Sequence, residues 1–110
     1  MNKIISIKSR KIYSRVYKKG KSFVSPVLVT YILKNNNDNL QIGITTTKKI
    51  GNAVQRSRCR RIIRAAYSNI DAQMNPGYFI IFVARTKTKE LKSTDLISVM
   101  KEHLQMAGVL

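Results

Sequence analysis

The chain has 110 residues, enough for one domain with a modest core. Its 21 lysines and arginines against 5 acids give a formal charge of +16 and a pI near 10.5, a surplus that points to a polyanionic partner. A single cysteine excludes an internal disulfide and a cysteine-based zinc cluster, and the longest apolar run, Tyr78 to Ala84, is far short of the ~20 residues that span a bilayer.

Cysteine usage suits a reducing, cytoplasmic setting. RNA or DNA is the expected partner. Anionic lipid is the rival, but the charges are spread over several elements and not gathered on one amphipathic helix. The opening segment, Met1–Lys8, has too short an apolar part to be a secretory signal.

Taken in chain order, residues 9–19 read as a short helix. Ile12 and Val16 lie at i,i+4, Tyr13 and Tyr17 form a second such pair, and Gly20 is placed to stop the helix. Residues 27–33 are β-branched and aromatic, a strand by propensity, with an extra short strand expected around Ser22–Ser25. The Asn-rich segment 34–39 reads as a turn. Leu40, Ile42 and Ile44 then alternate with Gln41, Gly43 and Thr45, predicting a second strand paired antiparallel with the first.

A basic run follows. Residues 48–64 hold two lysines and five arginines with no acid. From about Ala53 to Ile70 the pattern is helical: Cys59, Ile62, Ile63, Ala66 and Ile70 form one apolar stripe. Arg56, Arg60 and Arg64 fall on one flank of it, Arg58 on the other, and Arg61 opposite. Asn75-Pro76-Gly77 is a turn. Residues 78–84 are apolar on both faces, the mark of a central, covered strand. A polar loop at 85–92 precedes a last helix over 94–106, with Leu96, Ile97, Met100 and Leu104 inward. The order α-β-β-α-β-α predicts an α/β (α+β) two-layer sandwich, a small mixed sheet packed by helices, as one domain over 1–110.

No catalytic centre is visible. His103 is the only histidine and lacks a carboxylate at helical spacing, so it is expected to be structural or solvent-facing. The five acids are scattered, unlike the carboxylate cluster of a two-metal nuclease, and no phosphate-binding glycine loop of the nucleotide hydrolases is present. The basic helix carries the signal instead. Arginine grips phosphate oxygens with a planar fork and stacks on exposed bases, and a merely solvated face would interleave acids.

Lys48-Lys49-Ile50-Gly51-Asn52-Ala53-Val54, followed by Arg56-x-Arg58 and Arg60-Arg61-x-Ile63-Arg64, resembles the signature of the protein subunit of bacterial ribonuclease P. Ser57 and the pair Tyr13 and Tyr17 depart from it, standing where that family has asparagine and phenylalanines. The resemblance implies a left-handed βαβ crossover and an RNA subunit that cuts the 5′ leader from precursor tRNA. Magnesium would be held mainly by RNA subunit and substrate, and the protein would supply neither a catalytic residue nor a metal ligand. It implies docking on the catalytic RNA through Lys48, Lys49, Asn52, Arg56, Arg58, Arg60, Arg61 and Arg64. The single-stranded leader would lie in a cleft at Tyr13, Tyr17 and Tyr31, with Thr45 and Thr47 along its floor. No obligate protein partner and no membrane are implied. A small ribosomal protein and a free-standing nuclease are the rival readings.

Overall fold

The computed structural model describes residues 4–110. The segment read above as no secretory signal begins at Met1–Lys3, outside that range, and continues as a short strand, β1 (Ile4–Ser6), which the sequence pattern does not announce. Helix α1 (Arg10–Lys19) follows, then β2 (Lys21–Val24), β3 (Leu28–Lys34) and β4 (Leu40–Thr45). Helix α2 (Ala53–Ser68), strand β5 (Tyr78–Ala84) and helix α3 (Ser93–Met106) complete the chain. The expected short strand is thus present. Gly20 ends α1 but with an extended backbone (φ −75°), not the left-handed one that favours glycine.

The five strands form one mixed sheet in the order β1-β4-β5-β3-β2. Here the sequence expectation fails. β3 and β4 do not pair; β5 lies between them, antiparallel to β3 and parallel to β4. The physical reason lies in β5 itself. Phe79, Ile80, Ile81 and Phe82 are all buried, so its two faces both need cover and it takes the middle of the sheet. The tight Asn-rich turn links two strands that run in opposite directions without bonding. Asn35 organises that turn, its Nδ2 donating to the Asn39 carbonyl and its Oδ1 accepting from the Asn37 amide.

Strand alternation divides the core. Leu28 and Ile32 of β3, Leu40 and Ile42 of β4, and Ile80 and Phe82 of β5 face α2 and α3. Cys59, Ile62, Ile63 and Ala66 of α2 are buried there, as their spacing predicts. The helix stops at Ser68, short of the expected Ile70, which is nonetheless buried just past its end. Tyr67 stacks on Phe82 at 6.0 Å. Burying each isoleucine contributes roughly 1.5–3 kcal/mol, which holds α2 in place against its own charge. From α3, Leu96, Met100 and Leu104 are fully buried, while Ile97 is only half-buried at the margin. His103 is buried with them. Its Nδ1 lies 2.8 Å from the Thr30 hydroxyl and its ring against Phe23, a structural role.

The opposite face is only partly covered. Ile7 and Val16 pack on Phe79 and Ile81, with Ile12, Tyr13, Tyr31, Leu33 and Val83 around them. Helix α1 crosses this face and leaves an open margin beside it, and that margin is where the tyrosines gather. No helix among the described residues is long and apolar enough to cross a membrane.

Candidate nucleic-acid interface

Tyr13 and Tyr17, one turn apart on α1, reach the same edge of the helix. Their ring centroids lie 6.2 Å apart, and Tyr17 meets Tyr31 of β3 edge-to-face at 4.8 Å. The Tyr17 hydroxyl lies 2.7 Å from Thr45 Oγ1, which ties α1 to the end of β4. The hydroxyl end of Tyr13 approaches β4 closely because residue 43 is a glycine; a Cβ there would meet Tyr13 Cζ at 2.8 Å. Burial, then the neighbouring Tyr17, push the Tyr13 hydroxyl above the ordinary tyrosine value, with a hydrogen bond to the Ile44 backbone opposing them, so it stays protonated at neutral pH. Four of the five residues expected in the cleft therefore come together. Thr47 lies further along, lining an adjacent pocket of about 290 Å³ with Val29, Val83, Lys49 and Arg85. Gly43, Val29, Val83 and Arg85 were not singled out in the sequence. Strand alternation would have placed Val29 and Val83 beside Tyr31 had the neighbour of β3 been known.

The basic helix opens on a well-built N-terminus. Asn52 Oδ1 accepts from the Gln55 amide and Gln55 Oε1 accepts from the Asn52 amide, a reciprocal capping box. Gly51 before it has φ +144°, and the Gln55 side chain occupies the place of a Cβ. This explains the Gly-Asn pair in the motif independently of any ligand. The short 3-10 turn Lys48–Ile50 ahead of it is braced by Lys89 Nζ, which donates to the Ile50 carbonyl at 2.7 Å.

The arginines divide as their angular positions predict, with distinct partners. Arg56 Nη1 donates to the Gly51 carbonyl at 2.7 Å, Arg58 Nε to the Lys89 carbonyl at 2.9 Å, and Arg60 Nη1 to Thr46 Oγ1 at 3.0 Å. The side chains of Arg61 and Arg64 are exposed and make no hydrogen bond to a described residue. Arg60 and Arg64 also line a groove of about 180 Å³ whose other wall includes Tyr13 and Gly43. The arginine flank and the aromatic cleft therefore share Tyr13 as a common wall. Beneath them, burial pushes the Cys59 thiol up, against the downward pull of Lys89, Arg58 and Arg60; it is a packed core group.

Among the described residues no group of three or more His, Cys, Asp or Glu could hold a metal ion. What the surface offers is different: an acid-free cationic helix face beside a cluster of tyrosine rings in tilted and edge-to-face contact. Cations of this kind neutralise backbone phosphates, and aromatic faces take unstacked bases.

The chain is similar to known proteins in both sequence and fold. A family model described as Ribonuclease P matches residues 1–108. A ribonuclease P protein component from Clostridioides difficile is 43% identical over 109 residues, covering 98% of this chain and 96% of its own. The solved RNase P protein of Staphylococcus aureus superposes with a TM-score of 0.82 at 31% identity, covering 97% of this chain and 98% of that one. The Thermotoga maritima RNase P protein has the same fold, with a TM-score of 0.81 at 22% identity over 92% of this chain and 96% of that one. On its sequence and its fold alike, the chain belongs to the ribonuclease P protein component family.

Proposed function

We propose that this chain is the non-catalytic protein subunit of a ribonuclease P ribonucleoprotein, which removes the 5′ leader from precursor tRNA. The observation that carries this reading is the junction at Tyr13. On one side stands the arginine flank of α2, on the other the tyrosine cleft. A catalytic RNA docked on Lys48, Lys49 and the outward arginines would leave the cleft free for a single strand beside it. Stacking there contributes about 1–3 kcal/mol per base with little sequence preference, which suits leaders of varied sequence.

The protein's part is binding and orientation. Its cations neutralise phosphates that would otherwise need counterions, which raises substrate affinity and lowers the magnesium needed for cleavage. The five acids of the chain are scattered along the sequence, and no cluster of three or more His, Cys, Asp or Glu is found among the described residues. Magnesium in this reading stays with the RNA subunit and the substrate. A particle of this kind acts in the cytoplasm, where precursor tRNA is made.

The deciding experiment is precursor-tRNA cleavage at low magnesium with this protein, with a bacterial ribonuclease P RNA, and with both. Correct 5′ cleavage in the mixture alone supports the subunit reading. Cleavage by the protein alone would make it a nuclease, and failure to assist a competent RNA would leave the ribosomal alternative.

A further inference from the structure

Helix α1 carries a second cationic surface that the cleft and the basic helix do not account for. Five of its ten residues are basic: Arg10, Lys11, Arg15, Lys18 and Lys19. The described residues before Asp38 contain no acid, and all five of these side chains are exposed. None makes a hydrogen bond or ion pair to another described residue. Lys11, Arg15 and Lys18, at i, i+4 and i+7, fall within an arc of about 60° on the helix surface. That line points away from buried Val16 and also away from the edge bearing Tyr13 and Tyr17. At the far end of α1 the charge continues into a pocket of about 290 Å³ lined by Lys19, Lys21, Lys34 and Tyr78.

A basic turn at a helix C-terminus is ordinarily explained by the helix dipole, and Lys18 and Lys19 answer to that description. Arg10 and Lys11 do not, since cations in the first turn of a helix are unfavourable, and Arg15 lies in mid-helix, outside both end turns. Self-repulsion along the whole outer face costs stability and serves no packing contact. The face bears no aromatic ring beyond the pocket at its end, so it offers nothing on which unstacked bases could lie. It matches a duplex, whose two strands present more phosphates over the same length than a single strand does.

We infer that the outer face of α1 is a second docking surface, taking the phosphate backbone of a double-stranded segment of the RNA subunit. The inference rests on the ribonucleoprotein reading above. The protein then meets the RNA subunit on two separate faces, with the leader cleft between them.

The test uses the full chain and a bacterial ribonuclease P RNA. A triple variant, Lys11→Gln, Arg15→Gln and Lys18→Gln, keeps good helix formers on an exposed face. A matched triple, Lys87→Gln, Lys92→Gln and Lys101→Gln, removes the same charge elsewhere. Thermal midpoints check that both are folded. The α1 triple is expected to bind the RNA subunit at least about tenfold more weakly, with a log–log salt slope two to three units shallower, about one per lost phosphate contact. The matched triple is expected to change much less. Preference of the saturated particle for leader-bearing over mature tRNA is expected to stay as in the wild type. Equal losses in the two triples would reduce the effect to net charge and overturn the inference. So would a loss confined to leader-bearing precursor on the saturated particle, which would assign α1 to the leader. Failure of the wild-type chain to bind the RNA subunit would overturn the ribonucleoprotein reading and this inference with it.

Discussion

Gly43 and Tyr13 occupy one another's space: the ring of Tyr13 lies where any side chain at position 43 would begin. The cleft wall therefore depends on a missing side chain in β4 as much as on the tyrosine in α1. Gly43→Ala is expected to tilt Tyr13 away from β4 and to cost about 1–3 kcal/mol through overpacking. Precursor with a leader should then bind the particle more weakly, while mature tRNA binding holds. An unchanged ratio of the two affinities, in a variant that is measurably destabilised, would remove Tyr13 from the leader site.

Tyr17 contributes a ring and a hydroxyl, and the two are separable. Tyr17→Phe loses the 2.7 Å link to Thr45 but keeps the contact with Tyr31. Leader affinity is expected to fall by less than about 1 kcal/mol in that variant and by about 1–3 kcal/mol in Tyr17→Ala. Competition binding with a leader-bearing precursor reads both. Equal losses would mean that the hydroxyl and Thr45, not stacking, hold the ligand.

These details show which parts of the site a sequence reveals. The apolar stripe of α2 and the i,i+4 tyrosines are local patterns, repeated by helix geometry, and both appear where their spacing puts them. The contact of Tyr13 with Gly43 is not local. It depends on which strand lies under α1, and the insertion of β5 between β3 and β4 is decided by competition for the covered middle position. The hairpin expected from the Asn-rich turn fails for the same reason. β1, at three residues, is too short to leave a period in the sequence. Asn52 is legible as a motif residue, but its cap is legible only with Gln55 recognised as its partner.

That cap separates folding from binding at Asn52. Asn52→Ala is expected to cost about 0.5–2 kcal/mol, because the Gln55 amide loses its acceptor. Asn52→Ser retains a capping oxygen, so stability should change little. If serine also retains affinity for the RNA subunit, the residue acts through the helix start. A drop in affinity with stability intact would assign its amide nitrogen to the RNA.

His103 makes stability sensitive to acid. Burial lowers its pKa from the ordinary 6.5, with Glu102 opposing. The unfolded chain therefore takes up a proton before the folded chain does. The contribution is complete above pH 6.5 and is lost as pH falls below it, toward the lower folded-state value. Urea midpoints are expected to drop between about pH 7.5 and pH 5, and to drop less in His103→Gln, which can still bond Thr30. Parallel curves for the two proteins would place the acid sensitivity elsewhere.

Arg58 and Arg61 distinguish a structural arginine from a docking one. Both are exposed on α2, yet Arg58 Nε holds the Lys89 carbonyl at 2.9 Å, and Lys89 in turn braces the turn before the helix. Arg61 makes no such bond among the described residues. Arg61→Ala is expected to weaken binding to the RNA subunit and to flatten the salt slope by about one unit, with thermal stability unchanged. Arg58→Ala is expected to lose about 0.5–1.5 kcal/mol of stability in addition, because the loop at Lys89 is released. Arg58→Lys distinguishes the contributions further: the charge stays while the directed Nε bond goes. Its salt slope should match the wild type while its stability follows the alanine variant. If all three variants keep wild-type affinity and slope, α2 does not dock on the RNA through this flank.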